Sequence, residues 1–113
     1  MPDGLRLLVF PTTDLARQTA LLRSLSGTDP YIEGPWYVGF RVGEVELGID
    51  PRGHRDFGPG PVCYWEVDDL EAAVSRLEAA GAEVRQPAKD VGGGMRTAVM
   101  VDGDGNVIGL RAG

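Results

Sequence analysis

Apolar residues change their period along the second half of the chain. Residues 62–67 form a β-branched and aromatic run typical of a strand, and this run stops at Asp68 and Asp69. Carboxylates at such a position can accept hydrogen bonds from the free N–H groups of a helix start. Apolar residues then recur at helical spacing up to Gly81, which suits the left-handed conformation that closes a helix. The pattern predicts a strand and then an amphipathic helix with Leu70, Ala73, Val74, Leu77 and Ala80 on its apolar face.

Three more extended segments follow this helix. Residues 82–84 restart an extended pattern, and the glycines at 92–94 interrupt it. Residues 96–101 form the next apolar run, and the Asp/Gly/Asn-rich residues 102–106 force a reversal. Residues 107–110 then form a closing strand. The second half therefore predicts a strand, a helix and three further strands.

The first half carries a weaker copy of the same pattern. Residues 5–10 predict a strand, and a helix follows from about Leu15 to Leu25, closed by Ser26-Gly27. Two strands, 36–42 and 45–49, complete this half. A shift of 55 residues aligns Leu15 with Leu70. Two related modules are therefore expected.

The Gly/Pro-rich residues between the two halves indicate a connection, not a third element. We expect a single domain over residues 1–113, with module 1 at about 1–50, a linker at about 51–61 and module 2 at about 62–113.

Four pieces of the sequence, in this order and spacing, resemble one known module. They are residues 67–73, 80–82, 92–94 and 102–108. Together they are similar to the βαβββ module of the vicinal oxygen chelate superfamily, which includes glyoxalase I, bleomycin resistance proteins, fosfomycin resistance enzymes and extradiol dioxygenases. The resemblance implies an α+β fold in which two βαβββ modules form curved mixed sheets around a ligand cup, with the helices on the outer faces.

Composition and charge exclude several classes of protein. The net charge is −6 and the sequence pI about 4.6, with eleven Lys and Arg residues scattered along the chain, which argues against a nucleic-acid partner. Apolar runs are far too short to cross a membrane, and the N-terminus lacks the basic start of a signal peptide. We therefore expect a soluble, cytoplasmic protein. Cys63 is the only cysteine, so no internal disulfide can form, and we expect a buried structural thiol.

Strand parity predicts which side chains face the cup. Side chains alternate between the two faces of a strand, so Leu8, Phe10, Cys63, Trp65 and Val67 are expected to pack towards the helices. The opposite parity, together with an aromatic residue from the strand predicted at 36–42, would line the cup. The predicted ligand-binding residues are Leu7, Val9, Trp36, Glu46, Val62, Tyr64, Glu66, Val107 and Arg111. An aromatic wall favours planar or amphipathic organic molecules, and a carboxylate at the rim favours cationic groups.

The resemblance also implies a divalent metal held by a first-strand residue, often His, and a last-strand Glu of the two modules. The matching positions here are Leu7 and Val62 on the first strands, and Gly48 and Gly109 on the last strands. None of these side chains offers a nitrogen or oxygen donor. Glu46 shares the face of Gly48, but one carboxylate is not a coordination set. We therefore expect no metal and no cofactor.

Other motifs have structural explanations. His54, the only histidine, falls in the linker, where a lone imidazole is usually solvated. The glycines at 92–94 do not follow a strand and open a helix, as a dinucleotide site requires. Asp102 and Asp104 lack the remaining spacing of a calcium-binding EF-hand loop and are expected to be turn residues.

Two functions follow from the resemblance. One is a protein that binds a small organic molecule in an apolar cup without changing it, as in the bleomycin resistance branch. The alternative is a lyase, isomerase or dioxygenase-type enzyme of the same superfamily. Such an enzyme would be metal-free, with Glu46, Glu66 or Tyr64 as acid or base, or would use metal ligands not recognised in the sequence. The lack of metal-donor side chains favours the binding function.

Superfamily members of this length commonly form homodimers, so we expect a homodimer.

Overall fold

A computed structural model describes residues 4–52 and 60–113. Within these residues there are eight strands and two helices, which confirms the α+β class. The chain divides into two compact units, which are named here the N unit (Leu7–Val62) and the C unit (Cys63–Gly113 with residues 4–6). His54 and most of the predicted linker lie outside the described residues.

The N unit contains one helix and most of four strands. In chain order these are β1 (Gly4–Pro11), α1 (Leu15–Ser26), β2 (Ile32–Glu33), β3 (Val38–Val42) and β4 (Val45–Asp50). Their strand order is β2-β3-β4-β1, in which β1 pairs with β4 in parallel and the other pairs are antiparallel. The sheet is therefore mixed.

Local chemistry explains the bounds of α1. The Asp14 carboxylate accepts a hydrogen bond from the Arg17 N–H at 3.0 Å and caps the first turn. Gly27 closes the helix in the left-handed conformation, with φ of 71°. The buried face of α1 packs on one face of the sheet through a core of Leu22, Val38, Phe40 and Ile49.

The C unit has the same order of elements. They are β5 (Val62–Glu66), α2 (Leu70–Ala79), β6 (Glu83–Gly92), β7 (Met95–Val101) and β8 (Val107–Ala112). The strand order is β5-β8-β7-β6, with β5 parallel to β8 and the other pairs antiparallel. Asp69 caps α2 by accepting from the Ala72 N–H at 3.0 Å. The helix packs on the sheet through Leu70, Ala73, Ala98, Met100 and Leu110.

The turn between β7 and β8 confirms a structural role for Asp102. Its carboxylate accepts hydrogen bonds from the backbone N–H groups of Asp104 and Asn106 and from the Asn106 side chain. These bonds hold the pKa of Asp102 below its usual value, first through the Asn106 side chain and then through the backbone. The Asp-Gly-Asp-Gly-Asn segment is thus a hydrogen-bonded turn.

Several details differ from the sequence-based predictions, among them Cys63, which was expected to be buried and is only partly buried. The two-residue strand β2 was not predicted, and β3 begins at Val38 instead of Trp36. Trp65 was expected in the core but is 44% exposed. Its parity is that of the core residue Leu110, its register partner. However, α2 packs chiefly on β6, β7 and β8, so the helix does not cover the β5 side chain fully.

No helix in the described parts of the chain is long and apolar enough to cross a membrane.

Candidate functional site

In each unit, one face of the sheet carries the helix, and the other carries most of the side chains predicted to bind a ligand. In the N unit, Val38, Phe40 and Ile49 point towards α1, so their strand neighbours point the opposite way. Register places Leu7 beside Glu46 and Arg41, and Val9 beside Gly48 and Gly39. We name the side chains on this surface the N face: Leu7, Val9, Tyr31, Ile32, Tyr37, Gly39, Arg41, Glu46 and Gly48.

Tyr37 and Glu46 form the central contact of the N face. The Tyr37 hydroxyl donates a hydrogen bond to Glu46 Oε2 at 2.6 Å, in a partly buried setting. A carboxylate acceptor makes such a bond shorter and stronger than a bond between neutral groups. The pair therefore holds a phenol and a carboxylate in fixed relation on an otherwise largely apolar surface.

Gly48 makes room for the ring of Tyr37. A Cβ atom added at Gly48 would lie 2.7 Å from two carbons of that ring, closer than real Cβ contacts. Gly48 is buried, and its backbone needs no left-handed conformation. The absence of a side chain at this position thus allows the tyrosine ring to lie directly on the sheet.

Gly39, the register neighbour of Gly48 on β3, has a similar role. A Cβ atom there would lie 3.0 Å from side-chain atoms of both Tyr31 and Ile32, and 3.1 Å from Glu46 Oε2. The guanidinium of Arg41 lies 4.3 Å from the centre of the Tyr31 ring, within the range of a cation–π contact. Two adjacent glycines therefore bring two tyrosines and one carboxylate together.

The corresponding surface of the C unit is built from β5, β8 and β7. Register aligns Tyr64 with Gly109 and Val99, and Glu66 with Arg111 and Thr97. These residues alternate with the core residues Ala98 and Leu110 and so face away from α2. We name this surface the C face: Tyr64, Glu66, Thr97, Val99, Val107, Gly109 and Arg111.

A tyrosine ring also lies on a glycine in the C face. A Cβ atom added at Gly109 would lie 2.7 Å from two carbons of the Tyr64 ring. Here the tyrosine is the direct register partner of the glycine, whereas Tyr37 reaches Gly48 from the residue before β3. Both last strands thus have a glycine at the same place, and both are covered by phenol rings.

Glu66 and Arg111 form an ion pair with two hydrogen bonds. Arg111 Nε donates to Glu66 Oε2 at 3.2 Å, and Arg111 Nη2 donates to Glu66 Oε1 at 3.1 Å. Their side chains are 26% and 21% exposed, so water screens the pair only in part. The charge of Glu66 is therefore matched inside the C face.

The structure separates the predicted ligand-binding residues into two groups and one outlier. Leu7, Val9 and Glu46 lie together on the N face. Tyr64, Glu66, Val107 and Arg111 lie on the C face, and Val62, the last residue of the N unit, begins the strand that carries Tyr64. Trp36 precedes β3 and is 62% exposed, with the Arg52 guanidinium 5.2 Å from its ring centre.

The ligand-binding residues predicted from the sequence do not include Tyr31 and Tyr37, which the structure places on the N face. The parity of β3 contained the signal for Tyr37, because the core residue Phe40 and Tyr37 are three positions apart and so face opposite ways. The same parity puts Trp36 with Phe40. Tyr31 could not be found this way, since its position depends on the short strand β2 and on the missing side chain at Gly39.

The residues present do not fit the metal site that the fold implies. The four positions are occupied by Leu7, Gly48, Val62 and Gly109, and none of these residues offers a donor side chain. Tyrosine rings cover both glycines. Within the described ranges, no three His, Cys, Asp or Glu side chains are grouped to hold a metal ion.

Comparisons with known proteins agree on the fold. A family model described as Glyoxalase/Bleomycin resistance protein/Dioxygenase superfamily matches residues 26–110. A comparison with curated proteins gives no match.

Three similar solved structures share less than a fifth of their residues with this chain. A superfamily member from Vibrio splendidus 12B01 has a TM-score of 0.73 at 15% identity, covering 96% of this chain and 97% of that chain. Methylmalonyl-CoA epimerase from Mycobacterium tuberculosis has a TM-score of 0.71 at 18% identity, covering 98% and 88%. A structure described as NAD-dependent benzaldehyde dehydrogenase from Legionella pneumophila has a TM-score of 0.75 at 17% identity, covering 94% and 96%. At these identities the likeness concerns the fold.

Proposed function

We propose a function for this chain from the premise that it belongs to the Glyoxalase/Bleomycin resistance protein/Dioxygenase superfamily. The chain binds a small organic molecule on the N face without a divalent metal. The observation that carries this proposal is the hydrogen bond of 2.6 Å between the Tyr37 hydroxyl and Glu46. Sites for small molecules combine apolar walls with a few placed polar groups. Here Leu7 and Val9 supply apolar surface beside the phenol and the carboxylate.

The side chains at the four metal-ligand positions support binding without a metal. A metal site needs several nitrogen, oxygen or sulfur donors around one point. Leu7 and Gly48 would have to be replaced by donors, and Tyr37 would have to leave Gly48. We expect purified protein to carry less than one equivalent of any transition metal, and EDTA to leave its melting temperature unchanged. Stoichiometric metal by elemental analysis would contradict this expectation.

The Tyr37–Glu46 pair also favours a second candidate function, which is metal-free proton transfer. A carboxylate within hydrogen-bond reach of a phenol can act as a general base when a substrate proton lies nearby. Two solved relatives in fold are methylmalonyl-CoA epimerases, from Mycobacterium tuberculosis and Streptomyces coelicolor. Exchange of a C–H proton of a bound compound for deuterium, lost in Glu46→Gln, would favour catalysis over binding alone.

A ligand screen with a matched pair of variants tests the proposed function. Planar and amphipathic organic molecules are screened by ligand-observed NMR against the native protein, Tyr37→Ala and Leu21→Ala. Leu21 is exposed on α1 and lies away from the N face. We expect compounds that bind the native protein to lose about tenfold in affinity with Tyr37→Ala, because stacking and hydrogen bonding both disappear. Leu21→Ala should bind them normally.

Two results would count against the proposal. One is a screen in which no compound binds the native protein. The other is a set of binders whose affinity does not change in Tyr37→Ala while its melting curve shows a folded protein.

The homodimer and the cytoplasmic location expected from the sequence stay predictions. Light scattering at micromolar concentration tests the first, because it separates a mass of 12.1 kDa from twice that mass.

A further inference from the structure

We infer that the N face binds a cationic group of its ligand, an organic ammonium, at Glu46 beside the rings of Tyr31 and Tyr37. This inference rests on the proposed function and adds the chemical class of the ligand. It depends on the charge state of the N face, on its aromatic surface and on its difference from the C face.

The Glu46 carboxylate forms no ion pair with a cationic side chain in the described part of the chain. Its Oε2 accepts the hydrogen bond from Tyr37, which is a neutral donor. By contrast, the carboxylates of Asp14, Asp29, Glu66 and Glu71 each form an ion pair with an arginine. A partly buried carboxylate without an ion partner attracts a cation more strongly than a fully solvated one, because less water screens it.

The surface around Glu46 suits an ammonium group and not a bare metal ion. A Cβ atom added at Gly39 would lie 3.1 Å from Glu46 Oε2 and 3.0 Å from a ring carbon of Tyr31. The carboxylate and the aromatic ring are therefore close neighbours. Aromatic faces attract cations through the negative charge above the ring, and quaternary or alkyl ammonium groups are recognised in this way. One carboxylate with two aromatic rings therefore fits a large, weakly hydrated organic cation.

Tyr31 already takes part in a contact of this kind. The guanidinium of Arg41 lies 4.3 Å from its ring centre, and Arg41 is the register partner of Glu46 on the neighbouring strand. Arg41 is exposed and forms no ion pair with Glu46 between described residues. The arginine is thus an internal competitor for the same surface. Its removal should strengthen the binding of a cation, whereas the removal of Glu46 should weaken it.

The C face lacks this property. Glu66 is matched by Arg111 through two hydrogen bonds, so a ligand cation would gain little there without breaking an existing ion pair. Charge selection is therefore assigned to the N face alone.

Three probes of one shape test the inference. Phenethylammonium, 2-phenylethanol and phenylacetate carry positive, neutral and negative groups on the same aromatic body. Each is titrated into the isotopically labelled protein at low salt, and the amide signals of Gly39 and Gly48 report on the N face. We expect phenethylammonium to bind about tenfold more tightly than the alcohol, and phenylacetate to bind most weakly.

Three variants assign the effect to residues. Glu46→Gln should bring the affinity for phenethylammonium to within about twofold of the affinity for the alcohol, because shape is kept and charge is lost. Arg41→Gln should raise the affinity for phenethylammonium about threefold. The control is Glu33→Gln. Glu33 follows Ile32 on β2, so its side chain points away from the N face. This variant removes the same charge and should leave the preference for phenethylammonium unchanged.

The outcomes separate the two proposals. If the alcohol shifts Gly39 and Gly48 as strongly as phenethylammonium, or if Glu46→Gln keeps the preference, the ammonium inference is wrong while the proposed binding function stands. If no probe shifts these signals, the inference is also wrong, and the compound screen then decides the proposed function separately.

Discussion

On the N face a tyrosine ring lies on Gly48 and donates its hydroxyl to Glu46, whereas on the C face a tyrosine ring lies on Gly109 and the nearby Glu66 binds Arg111. The backbone arrangement is alike, since both glycines belong to the strand that pairs in parallel with the first strand of its unit. The charges differ, because one carboxylate has a neutral donor as partner and the other has a cation. Two surfaces with a similar backbone arrangement can therefore carry different charges.

The two tyrosines also differ in their position relative to the strands. Tyr64 lies in the middle of β5, with strand residues before and after it in the chain. Tyr37 lies before β3 begins, and it approaches Gly48 with the far end of its ring. The ring on the C face is thus fixed close to its backbone, while the ring on the N face can turn away at the cost of its bond to Glu46.

The largest expected effect comes from adding a methyl group under each ring. An added Cβ at Gly109 meets carbons of Tyr64 next to its own Cβ, so Gly109→Ala should destabilise the fold by about 2–3 kcal/mol. Gly48→Ala meets the outer end of Tyr37 and should cost only about 1 kcal/mol, because that ring can move. Gly103→Ala is the matched control, since nothing lies within 4 Å of its added Cβ. Urea unfolding monitored by circular dichroism measures all three.

An equal loss of stability in Gly48→Ala and Gly109→Ala would show that the two rings are held alike, which would contradict the contrast drawn above.

A smaller effect is expected when the two carboxylates are neutralised. Glu66→Gln breaks an ion pair of limited exposure and should cost about 1 kcal/mol. Glu46→Gln keeps an acceptor for the Tyr37 hydroxyl and should change the free energy of unfolding by less than about 0.5 kcal/mol. A double-mutant cycle of Glu66→Gln with Arg111→Met isolates the pair energy. A larger loss with Glu46→Gln than with Glu66→Gln would mean that Glu46 has a structural charge partner after all.

The smallest effect concerns an exposed pair of the C unit on the helix side. The hydrogen bonds from Arg96 hold the pKa of Glu71 below its ordinary value. Since the folded-state pKa is lowered, this contribution to stability is complete above the ordinary pKa of a glutamate and is lost as the pH falls through the folded value. Glu71→Gln should therefore lose slightly less stability than the native protein on acidification below about pH 4.5, and salt should reduce the difference. Melting temperatures measured across this range at low and high salt check the sign.

Much of the fold follows from local pattern. The helices begin after Asp14 and Asp69 because these carboxylates cap free N–H groups, and the cap of the second helix was predicted from the sequence. Strand parity separated Phe10 from Val9 correctly, because side chains alternate whatever the tertiary context. Trp65 shows the limit of a prediction from strand parity. Parity predicts the side of the sheet on which the Trp65 side chain lies, but the exposure of that side chain depends on where the helix packs across the sheet.

By itself the sequence determined the α+β class, the order of the helices and of the strands other than β2, and the lack of donor side chains at Leu7, Val62, Gly48 and Gly109. Only the tertiary structure decided that Tyr37 binds Glu46, that Arg111 neutralises Glu66 and that tyrosine rings cover two of those positions. The physical reason is that capping and alternation act between near neighbours in the chain. Pairing of charges and the covering of a glycine depend instead on strand register, which brings together residues as distant as Tyr64 and Gly109.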